Sequence, residues 1–138
     1  MKPQSAKAKG RRLQQQVVGD LLSEFPHLSE DDIRSTSMGA GGEDILMSCA
    51  ARTSIPFSFE AKNQERVNIW SSIEQARSNC PKDVNPAVVF KKNNEQPQVV
   101  IPWKVFLKLI NPISSNNKNI SELHDISMRI AKIANDLI

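Results

Sequence analysis

The chain reads as an α/β fold, a central mixed β-sheet flanked by helices, on three observations. Apolar residues recur at helical spacing over residues 12–25, and a strict two-residue alternation runs from Ser54 to Lys62. Short apolar runs of strand length then alternate with helical segments along the rest of the chain. At 138 residues, 39% of them hydrophobic and 24% charged, the chain suits one core, because two cores of half that size would be marginal.

Taken in order, Leu13, Val17, Val18, Leu21, Leu22 and Phe25 form one helical stripe that Pro26 stops. Residues 27–32 are a polar connection, and Ile33–Ser37 a short extended run. Met38–Gly42 carries three glycines in four positions and must be a loop. Asp44–Cys49 has the length and composition of a strand, followed by a polar turn near Arg52 and Thr53. In the next strand Ile55, Phe57, Phe59 and Ala61 share one face, while Ser54, Ser58, Glu60 and Lys62 share the other. These two strands are expected to pair as a hairpin. Val67, Trp70, Ile73 and Ala76 predict a helix over 67–78, with Trp70 in the core. Pro86–Phe90 and Gln98–Ile101 are two further strands split by the turn KKNNEQP. Pro102 opens a helix over Trp103–Ile110, with Trp103 also read as core. Ser121 is expected to cap a last helix, about 120–138, whose stripe is Leu123, Ile126, Ile130, Ile133 and Leu137. The organisation expected is a basic flexible arm over 1–11 and a single domain over 12–138. The last helix is a candidate dimer surface.

Composition excludes several classes. No run of about eighteen apolar residues could cross a membrane, and no apolar segment follows the first basic residues as in a secretory leader. Cys49 and Cys80 have no paired histidines nearby, which argues against a zinc finger or disulfide scaffold and for reduced thiols in the cytoplasm. Five Phe, two Trp and no Tyr are too few for an aromatic RNA-binding platform. The net charge of +3 is unevenly spread: Lys2, Lys7, Lys9, Arg11 and Arg12 all fall in the first twelve residues. Such a segment attracts a phosphate backbone, although solvated basic tails are common. Arg66, Lys91 and Lys92 are open to the same two readings.

The chemistry is concentrated in two strands. Glu60 and Lys62 lie on the same strand face, about 6–7 Å apart by strand rise. In a hairpin, Asp44 at the start of the first strand lands beside the end of the second. Two neighbouring carboxylates repel each other, and a hard divalent cation relieves that repulsion. Mg²⁺ suits them because it accepts few carboxylate oxygens and fills its octahedron with water and phosphate oxygen. A water polarised by that ion beside Lys62 can attack a phosphodiester, with the lysine offsetting developing charge. The plain alternative is an exposed strand with an ordinary surface ion pair, worth at most about 1 kcal/mol. Against it stands the order of features: glycine loop, Asp, apolar run, alternating strand ending in Glu-x-Lys, then a helix.

The segments GGED(44)ILM and PFSFE(60)AK(62) resemble the signature of the PD-(D/E)XK nucleases, the fold of type II restriction enzymes and of many repair and recombination nucleases. Within that superfamily, KGRR at the first helix and the loop Ser37-x-Gly39-x-Gly41-Gly42-x-Asp44 look most like the archaeal-type Holliday junction resolvases and their phage counterparts. The likeness covers roughly residues 7–105. It implies a restriction-endonuclease-like sheet and a Mg²⁺-dependent DNA endonuclease, with Mn²⁺ substituting. It also implies a homodimer acting on four-way junctions in recombination or repair, in the cytoplasm of a bacterial, archaeal or phage-infected cell. Asp44, Glu60 and the backbone carbonyl of Ala61 would hold the metal, Lys62 would be the catalytic lysine, and Gln75 would face the active site. Ser37 would contact DNA beside Lys7, Lys9, Arg11, Arg12 and Arg66.

Two positions depart from the family pattern. Glu43 replaces the usual proline, adding a third carboxylate nearby. The resolvases supply a metal-binding glutamate from the first helix, where this chain has Gln14, Gln15 and Gln16, Gln14 matching best by its distance from Gly10. An amide oxygen can bind a metal without contributing charge, which puts the number of metals in question; Asp20 and Glu24 lie further along the same helix. The competing readings are a sequence-specific restriction or homing-type nuclease, a catalytically degenerate DNA-binding protein of the same fold, and a plain α/β interaction module.

Overall fold

This computed structural model describes residues 3–37, 41–111 and 118–137. In chain order the elements are α1 (Pro3–Glu24), β1 (Ile33–Ser35), β2 (Ile45–Met47), α2 (Cys49–Ser54), β3 (Phe57–Asn63) and α3 (Ile69–Asn79). They continue with β4 (Asn85–Lys91), β5 (Gln98–Val100), α4 (Trp103–Ile110) and α5 (Lys118–Asp136). The class is α/β, as the periodicities predict. Met38, Gly39 and Ala40 of the glycine loop, Lys2, and the side chains of Ser121 and Leu123 lie outside the described residues.

Helix α1 starts at Pro3, so the segment expected as a flexible arm winds into the first helix. Proline is favoured at a first helical position, and Ala, Lys, Arg and Gln, which dominate residues 6–16, are good helix formers. Its stripe buries Leu13, Gln14 and Val17. The chain then turns through Leu28 and enters β1, which pairs antiparallel with β2 in the register Ile33↔Met47 and Ser35↔Ile45. Ile33 and Ile45 are wholly buried. The loop between these strands closes on Thr36, whose N–H donates to Asp44 O at 2.9 Å and whose hydroxyl donates to Glu43 O. Gly42 in that loop has φ +92°, a backbone that side chains rarely adopt.

The expected hairpin between the second and third strands does not form. Where a turn was read near Arg52, Ser48 caps the six-residue helix α2, its hydroxyl accepting from Ala51 N–H at 3.1 Å. This helix carries the chain away, so β3 pairs parallel with β4 (Phe57↔Asn85 to Asn63↔Lys91), and β4 pairs antiparallel with β5. One central sheet becomes two small ones, β1-β2 and β3-β4-β5. Part of the reason is Asp44 itself: its carboxylate takes the Ala61 N–H at 2.8 Å, a donor that a neighbouring strand would otherwise use.

Strand β3 is covered on both sides, with α1 packed on it and α3 packed on it and β4. Phe57, Phe59 and Ala61 meet the main apolar cluster of Leu13, Val17, Ile33, Ile45 and Ile55. The alternation is as read, but the polar face is not exposed: Ser58 and Glu60 are each 3% exposed. Helix α3 is capped by Asn68, whose Oδ1 accepts from Ser71 N–H at 3.0 Å. It buries Ser72 and Ala76, while Trp70 is exposed.

The chain groups into two compact units, one through Pro102 and one from Trp103 onward, where a single domain over 12–138 was expected. The apolar cluster draws its buried residues from positions 13 to 89, so it is complete before α4 begins. Trp103, read as core, is exposed, and α4 has no buried residue. Helix α5 begins at Lys118, one turn ahead of the cap expected at Ser121.

Candidate active site

Four of the residues singled out in the sequence meet in one place. Asp44 stands at the entry to β2, Glu60 and Lys62 lie on the buried polar face of β3, and Gln75 lies in α3, which covers that face. Lys62 Nζ is 3.3 Å from Glu60 Oε1 and donates to Gln75 Oε1 at 2.7 Å. The ammonium is thereby held between a carboxylate and an amide oxygen. Asp44 is held by the Ala61 N–H. In a strand the N–H and C=O of one residue point to the same side, so the Ala61 carbonyl lies on that edge too.

The electrostatics are those of an under-satisfied anionic site. Burial pushes the Glu60 carboxyl above its ordinary range, and the charge of Asp44 pushes it further, with Lys62 opposing. Burial likewise raises Asp44, against the Ala61 hydrogen bond and the Lys62 charge. Glu60 Oε2 is buried with no hydrogen-bond partner. A buried carboxylate oxygen without a donor is costly, and a cation satisfies it directly.

The other predicted residues fall into place less uniformly. Gln14 is buried on α1, and its Oε1 also has no hydrogen-bond partner. Lys9 is half-buried, and its carbonyl accepts from Asn63 Nδ2 at 3.3 Å, which ties the basic end of α1 to the end of β3. Lys7, Arg11, Arg12, Ser37 and Arg66 are exposed and enter none of the hydrogen bonds that build the site. Glu43 is not free to join the carboxylates, because Arg52 Nη2 binds both of its oxygens. Among the described residues no group of three or more His, Cys, Asp or Glu side chains is placed to hold a metal ion. The acidic donors are therefore Asp44 and Glu60. Two carboxylates with a carbonyl or amide oxygen nearby suit Mg²⁺, which binds through one or two carboxylates and keeps several waters.

Sequence reasoning missed Arg52. Besides Glu43, it holds Phe57 O through Nη1 at 2.9 Å, and so clamps the residue before Asp44 to the start of β3. An isolated arginine in a polar segment carried no signal of that role.

Set against protein-family models, curated proteins and solved structures, the chain matches none. Among the described residues no helix is long and apolar enough to cross a membrane.

Proposed function

We propose that this chain is a Mg²⁺-dependent DNA endonuclease, acting as a homodimer on branched DNA such as four-way junctions. The observation that carries the reading is the convergence of Asp44, Glu60, Lys62 and Gln75, with Glu60 Oε2 buried and without a hydrogen bond of ordinary geometry, although the Asn79 side chain as well as Lys62 draws the carboxyl down. An ordinary surface ion pair needs neither burial nor a second carboxylate beside it. The motif resemblance supplies the reaction class and the substrate class.

Asp44, Glu60 and the Ala61 carbonyl would hold the ion, with Gln14 as a neutral further donor. When bound, the ion polarises the scissile phosphate and favours deprotonation of water. The side chains do the rest. The Ala61 N–H fixes the rotamer of Asp44, and Glu60 and Gln75 aim the Lys62 ammonium. That ammonium orients the attacking water and offsets the charge that grows on the phosphate oxygens in the transition state. By resemblance, in-line attack breaks the P–O3′ bond and leaves a 5′-phosphate and a 3′-hydroxyl. Cutting two strands symmetrically calls for two such sites about a two-fold axis.

The test is cleavage of a labelled four-way junction beside linear duplex and single strand, with Mg²⁺, with EDTA, and with Glu60→Gln or Lys62→Ala. Paired nicks in the junction, abolished by EDTA and by either variant, are expected. Cutting of duplex alone moves the substrate toward a restriction-type nuclease. A second reading, a degenerate DNA-binding protein, has Gln14 in its favour, since an amide stands where a metal-binding glutamate is expected. Tight junction binding with no cutting in Mg²⁺ or Mn²⁺ would establish that reading instead.

A further inference from the structure

A groove of about 450 Å³ opens at the carboxyl ends of β3 and β4, beside the candidate active site but sharing no residue with it. Gln64 on its wall follows Lys62 by two residues, about 7 Å by strand rise, within the reach of one nucleotide. Ends of paired parallel strands are where open α/β sheets commonly hold ligands. The lining combines three chemistries. Val67, Ile69 and Phe90 supply an apolar wall. Gln64, Gln96 and Gln98 supply amides that both donate and accept hydrogen bonds. Lys91 and Lys92 supply positive charge. Of the two acids on the rim, Glu65 accepts from Asn93 N–H at 3.1 Å, an internal bond that ties the β4–β5 turn to the loop after β3; Glu95 is exposed.

We infer that this groove seats one unpaired deoxynucleotide of the bound DNA, its base between the apolar wall and the glutamine amides and its phosphate at Lys91 and Lys92. The inference rests on the DNA-processing reading above and adds what the groove selects: a base released from its stack, as at a branch point or a single-stranded tail. A base face needs an apolar wall, its edge needs groups that donate and accept, and its phosphate needs a cation. A duplex buries its base faces and offers none of the first. The Asn63–Lys9 bond brings the basic end of α1 to the same end of β3, where the neighbouring phosphates would run.

The experiment is anisotropy binding in EDTA of a blunt duplex and of the same duplex with a single-stranded tail, for the wild type and for the double variant Gln96→Ala, Gln98→Ala. Both glutamines are exposed, so the fold survives their loss. The wild type is expected to prefer the tailed DNA, and the double variant to lose about 10-fold on the tail with blunt-duplex affinity unchanged, the scale of two hydrogen bonds. A 2-aminopurine placed in the tail should change its fluorescence on binding the wild type and not the variant. Equal tail affinity for variant and wild type, or no preference for the tail in the wild type, would overturn the groove assignment. Tail preference in a protein that cuts no DNA would sink the nuclease reading and leave the groove assignment standing; no DNA binding at all would sink both.

Discussion

Asp32 and Asp44 close the two ends of one short ladder, β1 on β2, and they are treated in opposite ways. Asp32 accepts from Ser29 N–H at 2.9 Å, from the Ser48 hydroxyl at 2.7 Å and from the Ser29 hydroxyl at 3.3 Å, and the adjacent backbone pairs again through Ser48 N–H to Asp32 O. These bonds, Ser29 N–H first and Ser48 next, hold its carboxyl below the ordinary value of 3.8. Among the described residues Asp44 has one backbone donor, Ala61 N–H; burial raises it, and a second buried carboxylate, Glu60, stands beside it. One aspartate is saturated with donors and fastens the fold. The other is buried beside a second carboxylate with Lys62 as the nearby cation, and the proposed function places the metal at that end of the ladder.

The largest expected effect falls on chemistry at the second end. Glu60→Gln and Lys62→Ala should each lower junction cutting by about 100-fold or more, measured under single-turnover conditions. Asp32→Asn should leave the rate near wild type once the protein is folded. A variant of Asp32 that abolished cutting at full stability would erase the distinction between the two ends.

Next in size is the clamp between them. Arg52→Ala leaves Glu43 without its cation partner and Phe57 O without its side-chain donor. Chemical denaturation should show a loss of about 2 kcal/mol, the scale of hydrogen bonds to charged groups. If stability were unchanged, the clamp would be incidental to the placing of Asp44.

The pH dependence separates the two aspartates by sign. Asp32, held low, contributes stability that is full above its unfolded value of about 3.8 and is lost as pH falls through its lower folded value. Asp44 and Glu60, held high, do the reverse. Their ionisation weakens the metal-free fold as pH rises from the ordinary carboxylate range through their raised folded values, and the deficit persists above them. In EDTA at pH 7, Glu60→Gln should therefore melt above the wild type, and Asp32→Asn below it. Both gaps should close toward acid pH in thermal melts. A Glu60→Gln protein that melted lower at pH 7 would mean that Lys62 already satisfies the site.

The smallest effect belongs to the basic surface. Replacing Lys7 or Arg11 by alanine should weaken binding to all DNA alike and reduce the salt slope by about one per contact. Titrations of affinity against salt concentration check it.

Much of this was legible from single residues and little of it from pairing. The stripe Leu13–Val17 and the alternation of Phe57, Phe59 and Ala61 identified core faces, because periodicity reports burial directly. Asp44, Glu60 and Lys62 were singled out because Glu-x-Lys on a strand and an acid after a glycine loop are spacings that constrain geometry, whereas Gln75 entered only through the motif resemblance. The hairpin was wrong because six residues around Arg52 are too few to show a helical period, and their helix redirects the chain. The burial of Glu60 was missed because alternation says which residues share a face but not whether a helix covers it. Helix α3 packs over it, so an ion pair expected at the surface has its carboxylate buried. The early start of α1 shows the limit of reading charge as disorder, since lysines and arginines are also good helix formers.

The central claim, that Asp44 and Glu60 await a divalent cation, is tested most directly by Mn²⁺ binding, followed through loss of the free-ion EPR signal. The wild type and Asp32→Asn are expected to bind Mn²⁺ alike, with Mg²⁺ displacing it, and Glu60→Gln to lose that binding. Undiminished binding by Glu60→Gln, or none by the wild type, would contradict the account.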